Sequence, residues 1–270
     1  MTAPGFAARK SLGQHFLGSA ASARRIAAAA GDLAGTNVIE IGPGPGALTR
    51  ALLETPLASL TAVEIDPRAA LALEDLVHAH QARFRLILAD ARALRLSSLV
   101  PMPRQVVANL PYNVATPLII SWLAEASAFR GLTLMFQKEV AERITARPAS
   151  AAYGRLSVLA QWTSEVRIAL RLPPSAFLPR PKVSSAVVHF VPHALQPAPS
   201  RFAAMQVLTG AAFGQRRKML RQALRPLGGA ALLEAAGIAP VRRAETLSIA
   251  EFDCLAGLVE DSLAVSGMRP

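Results

Sequence analysis

The sequence predicts an α/β fold in which a mainly parallel β-sheet is followed by a small all-helical domain. Three observations support this prediction. Short apolar runs alternate with helical patterns over the first two thirds of the chain, a glycine-rich turn follows the first run, and Ala/Leu periodicity fills the final part. Strand–helix alternation at this spacing is typical of βαβ units, whose parallel sheets are covered by helices on both faces.

Seven apolar or β-branched runs predict the strands of the sheet. They are Asn37–Ile41, Leu60–Ile65, Phe84–Leu88, Gln105–Asn109, Leu132–Gln137, Glu165–Leu172 and Ser184–Val191. Helical patterns between the early strands cover Ala47–Glu54, Pro67–Ala79 and Thr116–Ala126. A proline-rich stretch, Leu172–Pro181, separates the last two strands in place of a helix, so we expect an antiparallel last strand.

The domain boundaries follow from the same patterns. Residues 1–192 contain all the predicted strands, residues 193–200 are a proline-containing linker, and residues 201–270 are helical.

Composition and charge narrow the class of partner. Hydrophobic residues make up 52% of the chain, which is enough for a large core, and the net charge is +11. An excess of base over acid indicates a polyanionic partner such as nucleic acid. The predominance of arginine over lysine has a second explanation, a GC-rich genome, but that bias does not explain the excess positive charge.

Cysteine usage and hydropathy exclude several classes. Cys254 is the only cysteine, so neither a disulfide framework nor a cysteine zinc site is expected, and we predict no metal. Met1–Lys10 does not resemble a secretory signal, and no apolar stretch reaches about 18 residues. We therefore expect a cytoplasmic protein without a membrane partner, and a monomer.

The glycine-rich turn predicts a ligand site at the end of the first strand. It reads Gly42-Pro43-Gly44-Pro45-Gly46-Ala47, in which glycines allow close approach of a ligand to the backbone as a helix begins. Gly42, Gly44 and Ala47 also satisfy the dinucleotide pattern, so the turn alone does not choose between adenosyl cofactors. A plain strand–helix turn is the alternative.

Carboxylates follow the next two predicted strands. Glu64 can accept hydrogen bonds from both ribose hydroxyls of an adenosyl group, whereas Asp66 precedes Pro67 and is expected to cap the next helix. Asp90 can accept from the amino group of the cofactor's adenine, and its alternative is again a helix cap. Together these residues predict an adenosyl pocket at the carboxyl edge of the sheet.

The fourth strand end carries Asn109-Leu110-Pro111-Tyr112. The Asn109 side-chain oxygen and the Leu110 carbonyl can accept hydrogen bonds from an adenine amino group, Pro111 stiffens the turn, and Tyr112 can stack on the ring. A dehydrogenase needs a proton relay here, and these four residues supply none. The segment therefore favours an S-adenosylmethionine methyltransferase over a nicotinamide enzyme.

A basic run in the C-terminal part predicts contacts with phosphate. It comprises Arg216, Arg217, Lys218, Arg221 and Arg225, with no acid between Phe213 and Arg225. Such a run is often only a solvated helix face, but together with the +11 charge it favours RNA binding.

Five blocks of sequence resemble the bacterial small-subunit ribosomal RNA adenine N6,N6-dimethyltransferases, and the likeness extends over nearly the whole chain. The blocks are Lys10–Leu17, Ile39–Thr49, Asn109–Tyr112, Pro173–Val183 and Phe213–Lys218. The family often has Asn where His15 stands. The resemblance implies a Rossmann-like methyltransferase fold with a seven-stranded sheet and a small helical C-terminal domain.

The resemblance also implies roles for individual residues. His15, Leu17, Gly42, Gly44, Glu64, Asp90 and Asn109 are expected to hold S-adenosylmethionine. Asn109, Leu110, Pro111, Tyr112 and Phe177 are expected to form the catalytic site, with Phe177 closing on the target adenine opposite Tyr112. Without the resemblance, Phe177 reads as a core residue between prolines.

The implied substrate is a pair of adjacent adenosines in the 3′-terminal hairpin loop of 16S rRNA, within the small ribosomal subunit or its precursor. Each adenosine receives two methyl groups during 30S biogenesis. Three alternatives stay open at this point. They are a related adenine N6-methyltransferase acting on large-subunit RNA, a nicotinamide-dependent oxidoreductase, and a non-enzymatic RNA-binding factor.

Overall fold

The chain forms two compact units, which we call the sheet unit and the helical unit. The computed structural model describes residues 8–9, 14–111, 115–215 and 217–266. The sheet unit consists of Met1–Ala141 with Val166–Pro192, and the helical unit consists of Glu142–Glu165 with His193–Pro270.

In the described part of the chain, nine strands form two sheets. The strands are β1 (Phe16–Leu17), β2 (Asn37–Ile41), β3 (Ser59–Glu64), β4 (Phe84–Leu88), β5 (Arg104–Asn109), β6 (Gly131–Gln137), β7 (Ser164–Leu172), β8 (Phe177–Leu178) and β9 (Ser185–Pro192). The larger sheet has seven strands in the order β4-β3-β2-β5-β6-β9-β7, and β1 pairs with β8 in a separate small sheet. Strands β2 to β6 pair in parallel, and β9 runs antiparallel to β6. The predicted fold class, including the antiparallel last strand, is confirmed.

The central strands are apolar on both faces because helices cover the sheet. Val38, Ile39, Val106 and Val107 have no exposed surface. In a parallel sheet buried on both sides, strands read as continuous β-branched runs instead of alternating ones. This is why β2 begins and ends at the residues that the sequence predicts. Strand β4 also has the predicted bounds, although it lies at the edge of the sheet and most of its residues are not buried.

The helices differ from the prediction in several places. They are α1 (Ala20–Ala29), α2 (Ala47–Leu53), α3 (Arg68–Ala72), α4 (Glu74–Ala79), α5 (Ala115–Leu123), α6 (Lys138–Ile144), α7 (Arg155–Thr163), α8 (Pro199–Gly214), α9 (Leu220–Ala223), α10 (Gly229–Ala235) and α11 (Ile249–Ser266). The single helix expected over Pro67–Ala79 is wrong: it is split at the fully buried Leu73. Helices α1, α6 and α7 were not predicted, although Ser19 caps α1 by accepting from Ser22 N.

The helical unit includes a segment that the sequence-based division placed within 1–192. The Gln161 side chain donates to the Ile144 and Ala146 carbonyls at 2.9 and 2.8 Å. In the same unit Trp162 stacks on Phe202, with ring centroids 6.1 Å apart. These contacts tie residues 142–165 to one another and to α8, so they pack with the helices that follow residue 192.

A separate question is whether any helix could enter a membrane. Within the described ranges, no helix combines the length and the apolar character needed to cross one.

Candidate active site

Four adjacent strands bring the predicted cofactor residues to one edge of the sheet. Ile41 of β2 pairs with Val63 of β3 on one side and with Ala108 of β5 on the other. Gly42, Glu64 and Asn109, which each follow one of these residues, therefore lie at the same level. Asp90 comes two residues after β4, which is the neighbour of β3 on its other side.

The glycine-rich turn has a backbone that only glycine adopts easily. Gly42, Gly44 and Gly46 have φ angles of 71°, 52° and 86°. A Cβ atom on Gly44 would lie 2.9 Å from the Cε1 atom of Phe16, and one on Gly46 would collide with the Leu73 side chain. The turn is thus closed over by neighbouring side chains, and its glycines are required by both conformation and space.

The Glu64 carboxylate is held in place by backbone donors. Its Oε2 atom accepts from Gly44 N at 3.1 Å, and its Oε1 atom accepts from Ile65 N and Asp66 N at 2.8 and 2.9 Å. Burial raises the pKa of Glu64, while the backbone hydrogen bonds act in the opposite direction. Oε1 accepts two hydrogen bonds and Oε2 accepts one, so Oε2 keeps acceptor capacity for a ribose hydroxyl.

Asp66 and Asp90 both cap short helical segments. Asp66 accepts from Arg68 N at 3.2 Å and pairs with the Arg68 guanidinium, which lowers the pKa of Asp66 to about 2. Asp90 accepts from Arg92 N at 2.9 Å at the start of a 3₁₀ turn, and the Arg92 guanidinium also binds its carboxylate. The predicted cap at Asp66 is confirmed. Asp90 has the cap geometry offered as its alternative, and its contact with adenine stays a prediction.

Asn109 is oriented by the segment around His15. Its Nδ2 atom donates to the His15 carbonyl at 3.1 Å. The Nδ1 atom of His15 lies 2.9 Å from the Pro179 carbonyl, which accepts the hydrogen bond. Since the amide nitrogen of Asn109 is engaged, its amide oxygen is the atom left to accept from a substrate.

The short β1–β8 pair joins two of the sequence blocks. Leu17 pairs with Phe177, and Phe16 pairs with Leu178. The Phe177 ring has no exposed surface and belongs to the core of the sheet unit. In this conformation Phe177 is therefore a packed core side chain, and its closing on a target base stays a prediction.

A cleft lies beside the glycine-rich turn. The cleft is open to solvent and is lined by Phe16, Leu17, Gly42, Pro43, Pro45, Ala47, Leu48 and Asn109. Three predicted site residues, Leu17, Gly42 and Asn109, meet here. The sequence argument missed Phe16, although its place between His15 and Leu17 was a usable signal.

Glu40 is a second missed residue, buried just before the turn. It is 1% exposed, and neither of its carboxylate oxygens has a hydrogen-bond partner within the described residues. Burial raises the pKa of Glu40 to about 8, and the charge of Glu64 adds to the rise. The nearby Thr49 hydroxyl opposes it, although its geometry falls short of a hydrogen bond. Glu40 thus carries a proton near neutral pH unless a cation approaches.

The other predicted residues divide into three groups. Leu110 is buried and Pro111 is half-buried directly after β5. Arg217, Lys218 and Arg221 are exposed in the helical unit. Tyr112 and Arg216 lie outside the described residues.

No metal centre accompanies this site in the part of the chain that the structure describes. A search of those residues finds no group of three or more His, Cys, Asp or Glu side chains arranged to hold a metal ion.

Comparison with known sequences identifies the family. Residues 5–260 match the model of the family described as ribosomal RNA adenine dimethylase. The chain is 57% identical over 256 residues to a ribosomal RNA small subunit methyltransferase A from Gluconobacter oxydans (strain 621H), covering 95% of this chain and 84% of the relative. It is 50% identical to the protein of the same name from Paramagnetospirillum magneticum (strain ATCC 700264 / AMB-1), covering 93% and 90% of the two chains.

Solved structures share the fold. A dimethyladenosine transferase from Plasmodium falciparum superimposes with a TM-score of 0.77 at 23% identity, covering 94% of this chain and 99% of that one. The 23S rRNA methyltransferase ErmE superimposes with a TM-score of 0.67 at 24% identity, covering 90% and 99%. At these identities the likeness shows the fold alone, whereas the family follows from the sequence match. The chain belongs to the ribosomal RNA adenine dimethylase family.

Proposed function

We propose that the protein transfers methyl groups from S-adenosylmethionine to N6 of two adjacent adenosines in the 3′-terminal hairpin loop of 16S rRNA. The observation that carries the proposal is the position of Asn109 beside the glycine-rich turn and level with Glu64. The small-subunit substrate is supported by relatives of that name that are 50% identical or more over at least 93% of the chain. The reaction gives N6,N6-dimethyladenosine.

The residues present fit S-adenosylmethionine. Positive φ angles at Gly42, Gly44 and Gly46 hold the turn beside the cleft, and backbone donors fix the Glu64 carboxylate for a ribose. The unpartnered Glu40 carboxyl and Thr49 hydroxyl add buried acceptors beside the turn, suited to a cationic ligand. When bound, the cofactor supplies a methyl group on a positively charged sulfur, and the protein supplies placement and electrostatics.

Asn109 is proposed to hold the target amino group. The adenine nitrogen is a weak nucleophile because its lone pair is shared with the ring, so acceptors must orient it. The Asn109 Nδ2 atom donates to the His15 carbonyl, so Oδ1 can accept from the substrate. Asn109 Oδ1 and the Leu110 carbonyl would each accept one N–H group of the adenine amino group. Alignment of this kind is worth roughly 7–11 kcal/mol of barrier. The proton leaves after methylation, so no base is required.

The stacking of the target adenine on aromatic rings is proposed from the resemblance to the adenine dimethyltransferases. A target base that leaves its stack loses a few kcal/mol, and stacking on rings recovers about 1–3 kcal/mol for each contact. Tyr112 and Phe177 are the rings assigned to this role. Because Phe177 is fully buried, its contact with a base requires the β1–β8 pair to shift.

RNA binding is proposed for the basic residues Arg216, Arg217, Lys218 and Arg221, of which Arg217, Lys218 and Arg221 are exposed. Contacts to phosphate position a nucleic acid without reading its sequence, and they weaken as salt is added. We further propose that the protein acts as a monomer in the cytoplasm, on the small subunit or its precursor.

The three alternative functions have weaker support. The family match favours methyl transfer over a nicotinamide-dependent oxidation and over a non-enzymatic factor. The likeness to the 23S rRNA methyltransferase ErmE, at 24% identity, shows the fold alone and does not support the large-subunit alternative. The relatives with high identity carry the small-subunit name instead.

The test is methylation of ribosomal subunits. The protein is incubated with methyl-labelled S-adenosylmethionine and with small subunits that lack dimethyladenosine, and the modified nucleosides are then mapped by mass spectrometry. We expect dimethyladenosine at two adjacent positions in the 3′-terminal hairpin loop, and none with subunits that already carry it. Label confined to large-subunit RNA, or no transfer at all, would overturn the proposal.

A further inference from the structure

The strand next to Asn109 in the sheet ends in a polar side chain that the proposed function does not use. Strand β6 pairs in parallel with β5 on the side away from β2, so its carboxyl end lies at the same edge as Gly42, Glu64 and Asn109. The last residue of β6 is Gln137. Gln137 is therefore on the side of Asn109 that faces away from the cofactor residues.

The strand register places Gln137 on the same face of the sheet as Asn109. Asn109 pairs with Met135, and paired residues carry their side chains on one face. Gln137 comes two residues later, so the alternation of a strand returns its side chain to that face. A shift of one strand across and two residues along separates the Cα atoms of Gln137 and Asn109 by roughly 8 Å. A base held by Asn109 is therefore within reach of the Gln137 amide.

The core of the sheet unit fills this face as far as Met135. Met135 has no exposed surface, and it belongs with Val187 and Phe177 to one buried cluster. Val187 pairs with Met135 between β6 and β9. Gln137 is the next residue on this face toward the open edge, and it is half-buried. Gln137 thus marks the point where the face changes from closed core to the carboxyl edge.

The sheet fixes the backbone at Gln137, whereas its side chain has no partner. Gln137 pairs with Ser185 of β9, and the next residue, Lys138, donates its N–H to the Ser184 carbonyl at 2.9 Å. The amide of Gln137 makes no hydrogen bond to any residue that the structure describes. A rigid backbone therefore presents an amide group that can bind a ligand.

Other shielded glutamines of the chain are satisfied. Gln105 is buried, and its Nε2 atom donates to the Ala30 carbonyl at 2.8 Å. Gln161 is half-buried and donates to two backbone carbonyls. A polar group that is shielded from water without a partner costs stability. Gln137 retains this cost, which indicates that its partner arrives with the substrate.

Adenine offers a matching acceptor. The ring nitrogens on either side of the amino group, N1 and N7, both accept hydrogen bonds. In the proposed function Asn109 and Leu110 accept the two N–H groups of the amino group, which leaves the ring nitrogens to be recognised. A glutamine amide can donate to such a nitrogen, as Asn and Gln do when they read adenine in DNA. Flipped bases are likewise read by hydrogen bonds to their edges.

We propose that Gln137 is a specificity residue that donates an Nε2 hydrogen to one of the two ring nitrogens beside the target amino group. This inference rests on the proposed function and names the group that tests the identity of the base. A base with a carbon or an N–H at that position leaves the Gln137 amide unpaired, so the site disfavours it. The contact also fixes the base at a second point besides its amino group.

The experiment compares substrates that lack one ring nitrogen. Small subunits are reconstituted around 16S rRNA whose target positions carry adenosine, 1-deazaadenosine or 7-deazaadenosine, and kcat/KM for methyl transfer is measured for each. Loss of a ring nitrogen also alters the amino group, so the quantity compared is the ratio of kcat/KM for adenosine to that for each analogue. We expect Gln137→Met to lower this ratio about tenfold for one analogue and to leave the other ratio unchanged.

Two further variants test the assignment. Gln137→Glu keeps the shape but has no N–H donor, so kcat/KM for adenosine should fall about tenfold or more, as in Gln137→Met. Gln81→Met is the matched control, since Gln81 is exposed in the sheet unit just before the amino end of β4, away from the carboxyl edge. Its kcat/KM should equal that of the parent. The calorimetric affinity for S-adenosylmethionine should be unchanged in all three variants.

The outcomes separate this inference from the proposed function. Ratios that Gln137→Met leaves unchanged, or changes equally for both analogues, would overturn the inference while methyl transfer to adenosine stands. An equal effect of Gln81→Met, or a loss of affinity for S-adenosylmethionine in Gln137→Met, would also overturn it. If the parent transfers no methyl group, the proposed function fails, and the affinities of the three kinds of subunit, measured with S-adenosylhomocysteine present, give the same ratios without turnover. Circular dichroism checks that each variant is folded.

Discussion

Glu40→Gln removes a buried carboxyl that has no partner, and we predict that it changes how stability depends on pH. Glu40 is 1% exposed, and burial raises its pKa to about 8 from the ordinary value of 4.5. The folded protein therefore keeps a proton that the unfolded chain releases. Stability from this group is fully present below pH 4.5 and is lost as the pH rises through 8.

The magnitude follows from the difference between the two pKa values. Each pH unit between them removes about 1.4 kcal/mol of unfolding free energy. From pH 5 to pH 8 the loss from Glu40 is therefore about 4 kcal/mol. Glutamine has nearly the same shape and does not titrate, so Glu40→Gln should escape this loss. Groups such as His189, whose pKa is lowered by burial, act equally in both proteins and cancel.

The assay must report the sheet unit alone, because two units need not unfold together. Trp122 is 4% exposed in α5 of the sheet unit, whereas Trp162 lies in α7 of the helical unit. In a Trp162→Phe background, urea unfolding followed by Trp122 fluorescence at pH 5, 6, 7 and 8 isolates the unit that contains Glu40. Asp75→Asn, which removes an exposed carboxylate, is the matched control.

The result that refutes the reasoning is specific. If the parent and Glu40→Gln lose stability in parallel between pH 5 and pH 8, Glu40 is ionised in the folded protein and its environment is not the one described. If the difference between them grows by about 4 kcal/mol over this range, the buried neutral carboxyl is established.

Three further predictions concern the cleft and its supports. Gly44→Ala places a Cβ 2.9 Å from the Phe16 ring at a φ of 52°. We therefore expect the free energy of unfolding to fall by about 1–3 kcal/mol, measured by urea unfolding, and cofactor binding to weaken, measured by calorimetry. The control is Gly210→Ala in α8, whose Cβ would meet no atom within 4 Å and which should be neutral or mildly stabilising. Asn109→Ala should lower the turnover number at least a hundredfold while the calorimetric affinity for S-adenosylmethionine changes only a few-fold, since its proposed role is to orient the acceptor; equal turnover in the two proteins would contradict that role. Phe177→Ala should cost about 3–5 kcal/mol in urea unfolding, because its ring has no exposed surface; a loss below about 1 kcal/mol would show that the ring is not part of the core in solution.

The sequence predicted the central strands well because a strand buried on both faces has an uninterrupted apolar composition. Asn37–Ile41 and Phe84–Leu88 are observed with the bounds that were predicted. Helix ends were harder to predict. Leu73 interrupts the predicted Pro67–Ala79 helix with a φ of −109° and a ψ of 2°, and no glycine or proline marks the break.

The site could be predicted in part for a similar reason. Parallel neighbouring strands place their carboxyl ends at one edge, so Gly42, Glu64 and Asn109 were expected together and are found level with one another. Asp66 was expected to cap a helix and does so. Phe16 and Glu40 were missed, since lining a cleft and being buried without a partner depend on neighbours that are distant in the chain.

The sequence by itself determined the α/β class, the glycine turn and the order of side chains at the strand ends, because these follow from local periodicity and from glycine's conformational freedom. Only the tertiary structure decided three other matters. It paired Leu17 with Phe177, engaged the Asn109 amide with His15, and moved residues 142–165 into the helical unit. Each depends on contacts between residues far apart in sequence, whose energies come from burial and hydrogen bonding that no local pattern records.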